Sequence, residues 1–493
     1  MKTEPLMATL LVCGLLALTP SGSWARHAGA APNSRTQSGS EAAGRDSVGT
    51  ARLPDTQAGK RVAGFLEAFN AGQEAEMRVY LEANLSPEGA RQRPVEGRLQ
   101  ALRQIREDTG VLELERITRV REDALTVVAR GGTGKWLEIS FAFEAEPPHR
   151  FLGARFELLE GPPSPEGEGP PLNETQLVAE LSAYLDSLAR RDEFSGVVLL
   201  ARPDVTVFRR AFGTASKEYG VPNRAETRFN LGSINKLFTR IAVEQLAARG
   251  ALTLDDTIGK FLPDYSNAEA AAKVTVRHLL EMTSGIGDFF GQRYADTPKD
   301  RIRDLVDYLP LFASDSLAFE PGTSSAYSNG GYVVLGLIVE KASGQTYFDY
   351  VREHICAPAG MESTGHLEAD VPVPDVASGY THAWGQEERR GEPRRNNIYT
   401  RPARGSSAGG GYSNADDLLR LVLALKAGKL SAPEASREVS EGGIAVAGGA
   451  PGISAYLEAQ PGVGYTTVVL SNYDPPAAVR VGRKVAKMLE RLE

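Results

Sequence analysis

Cysteine is all but missing from this chain, with only Cys13 and Cys356 among 493 residues. Cys13 sits inside an apolar leader with more Leu after it, a poor position for a lipid-modified cysteine. Once that leader is cut Cys356 is alone, so the mature chain has no internal disulfide to draw on. Basic blocks are missing too: 55 Lys and Arg stand against 63 Asp and Glu, a net charge of -8, without a Lys/Arg run or a basic helical stripe. That argues against a nucleic-acid partner. Past the leader, no apolar run reaches the roughly 20 residues of a bilayer span. Histidine is sparse, and His278, His354, His366 and His382 show neither an HExxH pattern nor clustering. They offer no metal-ligand pattern, and His278, just before Leu279-Leu280, reads as structural.

What is present has the balance of an ordinary soluble protein, 42% hydrophobic and 24% charged. Its length exceeds what one core serves, so two domains plus tails are expected. Residues 1–25 carry Lys2, an apolar run from Leu6 to Leu18, Pro20 and a small-x-small site at Ser23-Trp24-Ala25. This pattern predicts a cleaved secretory signal peptide, and so a periplasmic or secreted protein with no stable membrane span. An uncleaved anchor is the alternative, for which a run of about a dozen residues is short. Residues 26–56, rich in Ala, Gly, Ser and Arg, bury too little surface to order and read as a disordered tether.

Residues 57–160 open with Val62, Phe65, Leu66 and Phe69 at amphipathic-helix spacing. Strand-like segments follow at Leu125–Val128, Trp136–Phe141 and Phe151–Leu158. Helix first and curved sheet after, with Pro147-Pro148-His149 leading into the last strand, resembles a small α+β cone of the NTF2-like type. His149 is expected at a strand edge. Residues 161–171, Gly-Pro-Pro-Ser-Pro and onward, read as a Pro/Gly linker. Residues 172–493 form the second domain, opening with a helix through Leu177, Leu181, Leu185 and Leu188 and strands at Ser195–Ala201 and Val205–Phe212. It closes with the apolar run Thr466–Leu470 and a helix carrying Val481, Val485, Met488, Leu489 and Leu492 on one face. Strands at both ends predict one antiparallel sheet covered by the terminal helices, an α/β architecture.

The chemistry is expected around Ser233-Ile234-Asn235-Lys236. Three residues apart on a helix, hydroxyl and amine share one face. The serine can lose its proton to the lysine if that amine is neutral, which burial promotes by disfavouring the charged form. Ile234, Leu237, Phe238, Ile241, Ala242 and Leu246 make the helix apolar over most of its circumference. Gly232 puts the hydroxyl at the helix start, where backbone N–H groups favour developing negative charge. Further on, Tyr327-Ser328-Asn329 offers a phenol that can pass a proton and an amide that can orient a substrate, before a helix expected to start near Tyr332.

With Leu254-Asp255-Asp256, Thr283-Ser284-Gly285, Gly405–Tyr412 and Gly448-Gly449-Ala450-Pro451-Gly452, these motifs resemble the class C β-lactamase and penicillin-binding superfamily over essentially the whole second domain. The resemblance implies an α/β domain beside a helical domain with Ser233 between them. It also implies an acyl-enzyme on Ser233, proton shuttling by Lys236 and Tyr327, substrate binding by Asn329 and Gly448, and an oxyanion held by backbone N–H groups of Ser233 and Gly449. No metal or organic cofactor is called for. The pattern departs at Val446, where the family usually carries His or Lys, so an uncharged ester or amide suits this site better than a carboxylate-bearing β-lactam. The stretch between Lys429 and Ile444 is also shorter than usual.

Gly405-Ser406-Ser407-Ala408-Gly409 fits the Gly-x-Ser-x-Gly nucleophile elbow, yet no histidine follows His382 to complete that triad. It reads instead as a glycine-rich loop before a helix at Ala415. Three readings stand: an exported serine hydrolase acting on an ester, amide, peptide or β-lactam-like substrate; a weakened or inactive relative that binds cell-wall peptides or another ligand; and a front segment that serves as an interaction module.

Overall fold

The computed structural model describes residues 52–492 apart from 93–94, 122, 145, 160, 162–169, 385–386 and 389–391. The expected signal peptide, nearly all of the tether and most of the linker lie outside the described residues. Two compact units divide the chain near Pro170.

In the front unit, helices α1 (Gln57–Ala71), α2 (Glu74–Asn84), α3 (Pro87–Gln92) and α4 (Val95–Thr109) precede a four-stranded antiparallel meander. Its strands are β1 (Leu112–Val120), β2 (Ala124–Gly131), β3 (Trp136–Phe143) and β4 (Phe151–Leu159). Thr56 caps α1 by accepting the Gly59 N–H, and Gly72 ends it in the left-handed region at φ 76. The expected stripe of Val62, Phe65, Leu66 and Phe69 packs with Leu125 and Val127 of β2 and with Ile139 and Phe141 of β3. Burial alternates along β3, the period-two signature of a sheet with one face on a core. His149 is not at a strand edge. It lies in the turn before β4 with φ 51 and Nδ1 2.9 Å from the Glu144 carbonyl. The two prolines before it have no N–H to give a ladder, so the chain turns there before β4 begins.

The larger unit opens with α5 (Glu174–Arg190), β5 (Gly196–Arg202) and β6 (Val205–Phe212). Its middle contains α6 (Asn235–Ala248), α7 (Asn329–Ser343) and α8 (Ala415–Lys426) among shorter turns. It closes with β7 (Ile444–Ala450), β8 (Ile453–Gln460), β9 (Tyr465–Ser471) and α9 (Ala477–Leu489). The sheet runs β7-β8-β9-β5-β6, antiparallel throughout, so strands from the two ends of the unit meet at β9 and β5. Asn173 and Gln176 form a capping box at the start of α5.

Val198, Leu200 and Val469 pack with the leucines of α5 and with Val481, Val485 and Met488 of α9. Val197, Leu199, Val468 and Leu470 belong to the other face's core with Phe238, Ile241, Val334, Ile338, Leu418 and Val422. With both faces covered, β5 is buried residue after residue up to Arg202, which is why its run is continuously apolar rather than alternating. The α/β class read from the sequence, an antiparallel sheet flanked by helices with a helical region beside it, is the architecture found. No helix among the described residues is long and apolar enough to cross a membrane.

Candidate active site

Ser233 is held by a turn in which backbones meet directly. Asn230 Oδ1 accepts the Gly232 N–H at 2.9 Å, and Phe229–Asn230 pairs with Tyr412–Ser413. Gly232 then turns at φ +50, and a Cβ there would lie 2.8 Å from Gly449 N and 3.0 Å from Gly448 C. Gly448 is constrained in return, because its Cβ would fall 1.9 Å from the Leu231 carbonyl oxygen and 2.8 Å from Ser233 N. Both positions therefore demand glycine, one for conformation and space, the other for space alone. Ser233 itself lies in a 3-10 turn, Gly232–Ile234, running straight into α6.

Lys236, in the first turn of α6, is only 7% exposed. Its Nζ donates to Asn329 Oδ1 and to the Ala408 carbonyl, both at 2.6 Å, and lies 3.3 Å from Ser233 Oγ. The rings of Tyr327 and Tyr332 enclose it, their centroids 4.7 and 5.5 Å away. Burial pulls this amine down from its ordinary 10.5 to about 7, against the opposing pull of Asp288. Tyr327 is 40% exposed overall but its hydroxyl turns inward, 2.6 Å from Ser233 Oγ. Desolvation raises this phenol well above its ordinary value, with the Ser233 hydrogen bond opposing, so Tyr327 rests protonated at neutral pH.

Helix α7 begins at Asn329, three residues before the start expected near Tyr332. Ser328 makes the difference, since its Oγ accepts the Gly331 N–H at 2.8 Å and donates to the Gly287 carbonyl at 2.9 Å. Gly330 fits because a Cβ there would sit 2.5 Å from that same carbonyl oxygen. Asn329 is buried, and its amide bridges two groups: Oδ1 accepts from Lys236 and Nδ2 donates to Asp288 Oδ2, each at 2.6 Å. Asp288 and the Ala408 carbonyl were passed over in the sequence. The carbonyl carries no sequence signal at all; Asp288, three residues past Thr283-Ser284-Gly285, was visible only as an acid after a glycine turn.

Gly448 and Gly449 lie against the Ser233 turn, with Gly449 on the exposed side. Side chains two apart on a strand share a face. Val446 therefore points to the same side of β7 as Gly448, the side that meets Ser233, and it is half-buried against the larger core. Ser407 is fully buried and its Oγ donates to the Tyr332 carbonyl at 2.7 Å. The loop around it is tied to α6 by Asn235 Nδ2 donating to the Ser406 carbonyl at 2.9 Å and Thr239 Oγ1 donating to the Ser407 carbonyl at 2.6 Å. Those ties deliver the Ala408 carbonyl to Lys236. His278 joins Thr275 in a capping box. His366 is enclosed, and burial, then Arg404, pushes it down to about 3. Among the described residues no group of three or more His, Cys, Asp or Glu is arranged to hold a metal ion.

The chain as a whole has counterparts among known proteins. Penicillin-binding protein 4* of Bacillus subtilis (strain 168) is 33% identical over 186 residues, 37% of this chain and 40% of that protein, so the match spans less than half of the relative's length. Esterase EstB of Burkholderia gladioli is 31% identical over 340 residues, 62% of this chain and 83% of that protein. The crystal structure of a penicillin-binding protein from Bacillus halodurans matches with TM-score 0.55 at 28% identity, covering 61% of this chain and 99% of that one. The family model described as Beta-lactamase matches residues 176–490, most of the chain and all of the elements that surround Ser233. The chain belongs to this beta-lactamase family of serine hydrolases.

Proposed function

We propose that this protein is an exported hydrolase that cleaves an ester or amide bearing no carboxylate through an acyl-enzyme on Ser233, with Lys236 as base and Tyr327 as proton relay. The observation that carries the reading is the hydrogen-bond inventory of Lys236. A neutral amine has two N–H donors and one lone pair, whereas an ammonium has three donors and no acceptor. Asn329 Oδ1 and the Ala408 carbonyl, at 2.6 Å each, take two donors. The remaining direction faces Ser233 Oγ at 3.3 Å, where the lone pair of an amine titrating near 7 can accept the serine proton.

In this reading the Ser233 proton moves to Lys236, directly or through Tyr327, whose hydroxyl is the nearer at 2.6 Å. Oγ bonds to the substrate carbonyl carbon, and the resulting oxyanion meets the N–H groups of Ser233 and Gly449. As the carbonyl re-forms, the bond to the leaving group breaks and that group takes the proton back from Lys236 by way of Tyr327. Water repeats the sequence on the ester and releases the acid. Tyr327 cannot itself be the resting base, because a phenol raised by burial holds its proton at neutral pH. The similarity to an esterase supports an ester substrate, and the pattern of residues 1–25 supports export. The N-terminal unit, NTF2-like in its sequence pattern, is assigned no chemistry.

Labelling with a fluorophosphonate probe tests this. Wild type should be labelled and should hydrolyse p-nitrophenyl esters, and Ser233→Ala should do neither. Equal labelling of the two proteins would remove Ser233 as nucleophile; no labelling of wild type would support a relative that has lost its chemistry.

A further inference from the structure

The charges around the nucleophile point to a substrate class, an inference that rests on the hydrolase reading above. Asp288 is exposed, on the segment between Thr283 and the Phe289-Phe290 pair. Its Oδ2 accepts from Asn329 Nδ2 at 2.6 Å and its Oδ1 from the Phe290 N–H at 2.9 Å. These two bonds fix the carboxylate one amide away from Nζ of Lys236, since the other end of Asn329 touches that amine at 2.6 Å. A carboxylate offers about four lone-pair sites, so each oxygen keeps room for a further donor from the solvent side. Among the described residues Asp288 is also the one formal charge that bears on both Lys236 and Tyr327, holding the amine up and adding to the rise of the phenol. Val446, on the side of β7 that meets the Ser233 turn, contributes no charge.

A carboxylate on the substrate, brought up to Ser233 while Lys236 is the neutral amine that the reaction needs, would therefore meet a like charge, while an ammonium group would find a partner already oriented. Beside Asp288, Phe290 is 45% exposed and offers apolar surface to the carbon chain bearing such a group. We propose that Asp288 is a specificity-determining residue that pairs with an ammonium group on the substrate, so that the site takes esters or amides whose acyl part carries a protonated amine close to the scissile carbonyl.

Three p-nitrophenyl esters of similar length test this at one neutral pH: 3-aminopropanoate, butanoate and hydrogen succinate, carrying positive, no and negative charge. The neutral ester is the common denominator, because Asp288 also tunes Lys236 and any substitution there changes turnover of all three. In wild type, kcat/KM relative to butanoate should be highest for the amino ester and lowest for the succinate. The amino-to-succinate ratio should fall about tenfold in Asp288→Asn, the fold-change expected for loss of one partly exposed charge. It should invert in Asp288→Lys and hold in Asp288→Glu, which keeps the charge and guards against a folding defect in the others. A ratio that does not move in Asp288→Asn while butanoate is still hydrolysed overturns this inference and leaves the hydrolase reading standing. Failure of wild type to hydrolyse any of the three or to take up fluorophosphonate overturns both.

Discussion

Ser233 and Ser407 sit in two glycine-flanked turns that touch the same lysine, and they differ in what surrounds each hydroxyl. Ser233 is half-buried, and its Oγ lies beside a phenol and an amine, at 2.6 and 3.3 Å. Ser407 Oγ is sealed in the core and is committed to the Tyr332 carbonyl at 2.7 Å. Its loop instead offers a backbone group, the Ala408 carbonyl, to the amine that faces Ser233. A Gly-x-Ser-x-Gly pattern thus selects a backbone shape, and the partners brought in from elsewhere decide whether the hydroxyl can react. In the proposed reaction one turn presents the nucleophile and the other holds its base in place.

The sharpest way to break this comparison is to remove each hydroxyl. Ser233→Ala should lower kcat/KM for a p-nitrophenyl ester by about 10⁴-fold or more, the scale seen when a nucleophile is deleted. If Ser407→Ala cost as much, the distinction drawn here would be wrong. Next in size, Lys236→Met, similar in length and without charge, should lose about 10²- to 10⁴-fold as general-base function is removed. In wild type kcat/KM should fall as pH drops through about 7, where Lys236 takes up a proton. A profile flat through that region would mean that another group is the base.

The same group leaves a mark on stability. Between about 7 and its ordinary 10.5, Lys236 is protonated in the unfolded chain and neutral in the folded one. The unfolded state then binds more protons, so this group's contribution to stability rises with pH across that window. Denaturant titrations at several pH values should show that slope, and Lys236→Met should flatten it. Ser407→Ala should cost about 1 kcal/mol by removing a buried hydrogen bond to the Tyr332 carbonyl, which keeps its place in the ladder of α7, read as a shift in denaturation midpoint, with ester turnover changed only a few-fold. Smallest of all, Val446→His should raise turnover of a carboxylate-bearing substrate by a few-fold more than that of a neutral ester; equal changes would show that charge at this strand position does not govern selection.

Local signals carried much of the architecture into the sequence. The stripe of α1, the leucines of α5, the limits of β6 and the apolar face of α9 are all read from spacing, because a helix or strand buried on one side repeats at its own period. The Ser233–Lys236 spacing is local in the same sense. What spacing cannot carry is contact between distant segments. Asp288 meets Asn329 across 41 positions and Ala408 meets Lys236 across 172, and nothing in either neighbourhood announces its partner. The early start of α7 escapes for a related reason: Ser328, which caps it by accepting the Gly331 N–H, is held in place by donating to the Gly287 carbonyl, a group that only folding brings near. His149 departs from the expected strand edge because the two prolines that lead into β4 form a turn, which leaves it two residues short of the strand.

The contact between Gly232 and Gly448 leaves no slack between strand and turn. Any methyl group added at either position would wedge β7 away from the nucleophile. Because the two backbones abut without intervening side chains, the reacting oxygen and the edge of the sheet must travel together.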